Sequence, residues 1–431
     1  MQRLAIDVVI ITCVALLATC SPPGVRSRPV LMSRIPWPKG AGPDAIGPAF
    51  PSLSGDCSLV AYAVAGEVYV HHLPNGPSVL VSVGSEGAKA NRPSGIPVLS
   101  IDGTRLAFDS AATNLVSGPQ NGHDQIYLRS VFGQEIVRAS VNDSGELADD
   151  ANLAYHGGIA LSRDGSVVAF NSHASNLVPG DSNERIDVFL RTLPSGPTLR
   201  ASLSHSGEQG NGNSVSPAIS GDGRYLVFAS DADNLVPDDR NGARDIFLRD
   251  QQTDRTTRLS VSPDGEEGNG ASDAPTISID GRFVAFSSEA TNLAPGAPVA
   301  LRRVLIVDRQ SGKVQVVTAG LGPEERAELP ALDGTGTRVA FVSERLDPES
   351  EAPAGFPAVF VIDRASGELI LVSAAQSGEP ANEASGDWGI ALSGDGACVA
   401  FTSLASDLVP DDDNARSDLF VARIPDANLE R

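Results

Sequence analysis

A small aliphatic residue followed by an aromatic one recurs through almost the whole length of this chain. The pairs are Ala61-Tyr62, Ala107-Phe108, Ala169-Phe170, Val227-Phe228, Ala285-Phe286, Ala340-Phe341 and Ala400-Phe401, at intervals of 46, 62, 58, 58, 55 and 60 residues. Eight residues before each aromatic stands Ser54, Ser100, Ser162, Ser220, Ser278, Asp333 or Ser393. Self-similarity at such a period marks a repeat architecture, in which no unit buries its apolar face without neighbours. The count is seven copies.

The copy at 213–262 shows what one unit is. It holds four apolar runs, 216–220 (SPAIS), 224–229 (RYLVFA), 245–249 (DIFLR) and 257–262 (TRLSVS). Runs of this length, rich in Val, Ile, Phe, Tyr and Thr and bounded by Gly, Asp, Asn and Pro, are strands. Nothing in the unit sustains an apolar period of 3.6 long enough for a helix. Gly221-Asp222-Gly223 reads as a tight hairpin, since Asp bonds nearby backbone and Gly tolerates positive φ. The turn Asp recurs as Asp56, Asp102, Asp164, Asp222, Asp280 and Asp395, with Thr335 in the sixth copy. A turn signal is needed in every unit and an active site only once, so these residues read as structural, not catalytic.

Third strands are expected at 68–71, 125–129, 187–191, 245–249, 305–308 and 358–363. The seventh copy stops after its third strand at 418–423 (DLFVAR), and 426–431 is left as a tail. Conversely, 29–35 (PVLMSRI) reads as a strand with no partner before it. One strand is missing at the end and one is spare at the start. Pairing the N-terminal strand into the last unit solves both and removes an exposed edge. The expectation is an all-β, seven-bladed propeller of four-stranded antiparallel blades over 29–425.

The motifs I-S-x-D-G-x-x-V-A-F, A-S-N-L-V-P and D-x-N-x-x-x-D-[IV]-F-L-R resemble the TolB-type, WD-repeat-like propeller units of exported bacterial proteins. The resemblance covers about residues 28–425 and implies the fold. Seven copies depart from TolB itself, which the resemblance gives as a six-bladed ring with an added N-terminal domain.

Residues 1–20 stand apart from the repeats. Arg3 gives a minimal charged start, 4–17 is mostly apolar, and the stretch ends Leu17-Ala18-Thr19-Cys20. It resembles a bacterial lipoprotein signal, which implies lipidation of Cys20, outer-membrane sorting through Ser21 and a tether at 21–28. Thr19 and Asp7 depart from that pattern. A secreted soluble protein is the alternative. The chain has 54 acidic against 32 basic residues and a net charge of −22. With no Lys/Arg cluster, this argues against a nucleic-acid partner. Membrane contact is expected only through a lipid anchor, and the propeller is expected to be a monomer.

The turns joining strands one to two and three to four are short; the loops at 230–244 and 263–274 are long and share the other face. Binding is expected on that face and at the channel mouth. One long loop repeats a spacing as Asp181, Asn183, Asp187; Asp239, Asn241, Asp245; and Asp412, Asn414, Asp418. Such oxygens gather around Ca²⁺, yet Ca²⁺ wants six to eight ligands and each loop offers about three. The other reading is an Asx-type turn bracing the third strand. No cofactor is required; Ca²⁺ is the one the pattern allows. Rim positions differ between copies and include His156, Asp273, Glu328 and Trp388. Trp388 suits either a sugar or partner protein, or a gap between blades. Cys57 and Cys398 sit at the first hairpins of the first and seventh copies, which are neighbours in a closed ring and close enough to pair if their Cα atoms approach within about 7 Å.

No G-x-S-x-G, H-E-x-x-H, C-x-x-C or P-loop is present, and the six His show no ligand spacing. The expected function is a non-catalytic scaffold at the cell envelope, binding a protein or glycan. The alternative is a lyase, lactonase or glycosidase using the channel mouth.

Overall fold

In the computed structural model, residues 25–26, 30–38, 47–150, 157–294, 301–347, 350 and 353–425 are described. Each repeat forms one antiparallel sheet whose strands lie in sequence order, and seven such sheets follow one another. Blade 4 is typical, with strands Ser214–Ile219, Tyr225–Ser230, Asp245–Asp250 and Arg255–Arg258. Blade 7 draws only Ser385–Leu392, Cys398–Ser403 and Asp418–Arg423 from its own repeat. Its fourth strand is Leu31–Arg34, antiparallel to Asp418–Arg423, with Leu31 opposite Arg423 and Arg34 opposite Phe420. Ile35 N–H donates to Leu419 O at 2.8 Å, as Leu259 does to Ile246 O at 2.7 Å in blade 4. The N-terminal segment therefore sits in the register of a true fourth strand. The chain is a seven-bladed β-propeller.

Within the stretch read as a tether, Val25–Arg26 pairs parallel with Glu368–Leu371 of blade 6. That outermost strand is the most apolar of its kind, Glu-Leu-Ile-Leu against Arg-Thr-Thr-Arg in blade 4, and Leu369, Ile370 and Leu371 are buried. An uncovered apolar edge is a template for aggregation, which the added strand blunts.

The recurring pair builds the blade interfaces. Phe108 packs among Ala61 and Ala63 of blade 1, and Phe170 packs against Ala107 of blade 2. The small residue of one blade thus makes room for the next blade's aromatic. Six of the seven aromatics also stack on a third-strand ring of their own blade; Phe228 and Phe247 lie 6.0 Å apart at 26°. Such pairs add about 0.5–1.5 kcal/mol beyond area burial.

The innermost strands carry two further features. Phe50, Ile96, Ser216, Ala274 and Leu329 have φ between 38° and 54° and mark a one-residue bulge in blades 1, 2, 4, 5 and 6. Each is followed by a proline, Pro51, Pro97, Pro217, Pro275 or Pro330. Proline has no N–H to leave unpaired, so an edge strand facing the channel accepts it. Below, the first hairpins touch around the axis. Each backbone N–H donates to the next blade's carbonyl: Gly55 to Ile101, Asp102 to Arg163, Arg163 to Gly221, Gly221 to Ile279, Ile279 to Gly334, Gly334 to Gly394 and Asp395 to Gly55, all at 2.7–3.0 Å. At Gly55 the approach leaves no room for a side chain, since a Cβ there would lie 2.7 Å from Ile101 O, while Ile101, Arg163 and Ile279 hold the equivalent place in blades 2, 3 and 5. Ile101, Arg163 and Ile279 line, with Asp56, Asp102 and Asp395, a recess of about 400 Å³ at this end.

Candidate binding face at the channel mouth

The acid-rich loops come first, because their side chains were the metal candidates. In blade 4, Asp239 and Asp245 converge on the guanidinium of Arg258, at 2.8 and 3.3 Å, with Glu267 at 3.3 Å. In blade 3, Arg200 reaches Asp181 at 3.0 Å and Asp187 at 3.6 Å. In blade 7, Arg34 of the closing strand reaches Asp412 at 2.8 Å and Asp418 at 3.6 Å. The amides brace the same cluster. Asn183, Asn241 and Asn414 donate to Asp187, Asp245 and Asp418 at 3.0, 2.9 and 2.7 Å, and accept the backbone N–H two residues on. An arginine from the fourth strand thus occupies the place a Ca²⁺ would take, and the Asx-turn reading describes the loop. Among the described residues no group of three or more His, Cys, Asp or Glu is arranged to hold a metal. Burial pushes the Asp181 and Asp239 carboxyls up to about 6, with Arg200 and Arg258 opposing it. Burial also raises Asp187, Asp245 and Asp412.

The turn aspartates are likewise engaged. Ser220 Oγ donates to Asp222 at 2.5 Å, and Asp222 accepts the Arg224 N–H at 3.0 Å. The pattern repeats at Asp102, Asp164, Asp280 and Asp395. In blade 6 Asp333 itself accepts the Thr337 N–H and the Thr335 hydroxyl.

The rim candidates separate into two kinds. Asp273 is ion-paired at 3.0 Å with Arg244, which also grips Asp231 at 2.8 Å. Glu328 lies 3.8 Å from Arg302, which grips Glu289 at 3.0 Å. These are equivalent positions in successive blades, so both acids serve as inter-blade braces. His156 lies outside the described residues, as does Cys20.

Trp388 is different. From Ser385 to Ile390 the inner strand of blade 7 advances five residues while its partner advances two, from Ser403 to Phe401. In blade 4 the same step is three against two, Val215 to Ala218 against Ala229 to Val227. Blade 7 therefore carries two more residues at the mouth than its neighbours. Gly386 and Gly389, at φ 91° and 101°, bound Asp387 and Trp388, and only glycine adopts such angles without strain. Trp388 is 52% exposed. Its indole meets the Phe50 ring of blade 1 edge to face, 6.4 Å between centroids at 81°. On the paired strand, the Thr402 hydroxyl is buried with no hydrogen-bond partner among the described residues. On blade 2, Asp109 stands opposite Gly95. Burial raises its carboxyl to about 6, nearby Asp124 adding to the effect, and its Oδ1 has no partner among the described residues.

The inserted pair was legible in principle: 385–391 reads Ser-Gly-Asp-Trp-Gly-Ile-Ala where blade 4 has Ser-Val-Ser-Pro-Ala at 214–218. The seam below this site is locked covalently. Cys57 of blade 1 and Cys398 of blade 7 form a disulfide with Cα atoms 6.0 Å apart, both residues buried.

Among the described residues, blade 7 carries the elaborated rim. No protein-family model matches the chain, and no curated protein matches it. Solved structures do. Oligogalacturonate lyase from Vibrio parahaemolyticus is 12% identical over 92% of this chain and 97% of its own, with a TM-score of 0.55. A TolB from Agrobacterium tumefaciens is 19% identical, over 62% of this chain and 79% of its own, at 0.41. TolB from Acinetobacter baumannii is 15% identical, over 75% and 62%, at 0.42. At such identities the likeness concerns the fold.

Proposed function

We propose that this is an exported protein of the cell envelope, anchored through Cys20, whose propeller is a monomeric, non-catalytic scaffold. It holds a protein or glycan partner on the long-loop face. The observation that carries the reading is the inserted Asp387-Trp388 pair, an exposed aromatic where the inner strand of blade 7 departs from that of blade 4. The acids of the Asp/Asn loops, with Asp273 and Glu328, are paired with arginines, which supports a structural role for them. A disulfide suits an oxidising compartment, in keeping with export. The test is capture from envelope extract by immobilised protein, with and without Ca²⁺. Substitutions at 386–389 should abolish capture and EDTA should not. Capture that survives those substitutions and is lost on altering the short-turn face sinks the reading.

Asp109 favours a second reading, an enzyme of the lyase, lactonase or glycosidase kind at the same mouth. A carboxyl poised at about 6 is suited to proton transfer near neutrality. Turnover of a polysaccharide or lactone panel that vanishes in Asp109→Asn would replace the scaffold reading with this one.

A further inference from the structure

We propose that the seam between blades 7 and 1 carries a subsite for a neutral oligosaccharide, one sugar ring stacking on Trp388 beside Asp387. The proposal rests on the scaffold reading and names its ligand. Trp388 makes a T-shaped contact with Phe50 and remains 52% exposed. The edge-on contact fixes the plane of the indole, and a fixed plane presents a π-face to a ligand at little entropic cost. A pyranose offers the matching surface, a flat array of C–H bonds with hydroxyls around its rim.

Hydroxyls need acceptors. Asp387 is exposed beside the indole, and an ionised carboxylate accepts in about four directions.

Size and charge decide between ligand classes. A stable protein interface needs about 800 Å² per partner and a cluster of anchors. Here the projecting element is two residues on one blade, and Asp273 and Glu328 on the nearby rims are already paired with arginines. That footprint fits one or two sugar rings. Asp387 and the net charge of −22 repel polyanions, so the sugar is uncharged.

The chain has two tryptophans, Trp37 and Trp388, so its NMR spectrum holds two indole N–H signals, assigned by Trp388→Phe. Full-length protein is titrated with neutral hexose and N-acetylhexosamine oligomers of three or more units, with oligogalacturonate as the anionic control. The Trp388 signal should move with the neutral series while the Trp37 signal stays. Trp388→Ala should weaken binding at least about tenfold, some 1.4 kcal/mol, without lowering the melting temperature. Asp387→Asn should weaken it too. Immobility of the Trp388 signal throughout the neutral series overturns the proposal, as does a response to oligogalacturonate alone. If envelope capture still depends on 386–389 while no sugar moves the signal, the subsite falls and the scaffold stands; if capture fails as well, both fall.

Discussion

Arg258 is the residue whose role was least visible in the sequence. The Asp239, Asn241, Asp245 spacing was read from the loop alone, where three oxygens look like half a metal site. The cation that completes them is supplied from the next strand, and by Arg34 of a distant segment in blade 7. Spacing along one loop does not reveal a partner contributed by another strand. Removing one partner of a buried ion pair costs about 3–5 kcal/mol, because a charge is left behind uncompensated. Arg258→Met should therefore destabilise the protein strongly in chemical denaturation. The sign of its pH dependence follows from the raised carboxyls. Asp181 and Asp239 titrate at about 6 in the fold against an unperturbed 3.8. The fold binds more protons than the unfolded chain between these values, so their contribution to stability is present below about 4 and lost as pH rises through 6. The Arg258→Met deficit should shrink toward pH 4 and be largest above pH 6; a deficit independent of pH would refute the ion-pair account.

Among the elements, the strand count was legible because it is bookkeeping: a blade short of one strand at 418–423 and a spare strand at 29–35 have one economical solution. Leu31–Arg34 supplies it. The short Val25–Arg26 strand was not legible, since two residues carry no periodicity. The bulges were missed because a proline in a first strand was read only as an ordinary strand member, and a residue before proline is ordinarily extended. A chain starting at residue 35 should leave Asp418–Arg423 as a bare edge in blade 7. We expect a lower melting temperature and concentration-dependent self-association by light scattering. A monodisperse truncated protein with unchanged melting would mean that closure does not depend on this strand.

For the whole molecule, seven blades were legible because the core-forming pair must repeat to close a ring. The proposed binding site was less so, because it depends on two residues inserted in blade 7, and an insertion breaks the pattern by which the copies are aligned. The closing seam is held twice, by Leu31–Arg34 in blade 7 and by Cys57–Cys398 near the opposite end of the channel. The disulfide spans 341 residues, so loop-closure entropy sets a ceiling of about 6 kcal/mol on what the double Cys→Ser variant can lose. Non-reducing peptide mapping should recover the linked pair, and two free thiols in the native protein would exclude it. Around the axis, Gly394→Ala should also destabilise, as its Cβ would lie 3.0 Å from Gly55 Cα.

Closure by the N-terminal strand also imposes an order in time. Leu31–Arg34 leaves the ribosome well before its partner Asp418–Arg423, with the other six blades between them in sequence. Blades 1 to 6 can each pair as they emerge, since their strands are neighbours in sequence. The seventh cannot, and Cys57 must wait for Cys398 as well. Until the final strand arrives the structure is an open arc with an apolar face at each end. The strand that arrives last is the one that fastens the ring.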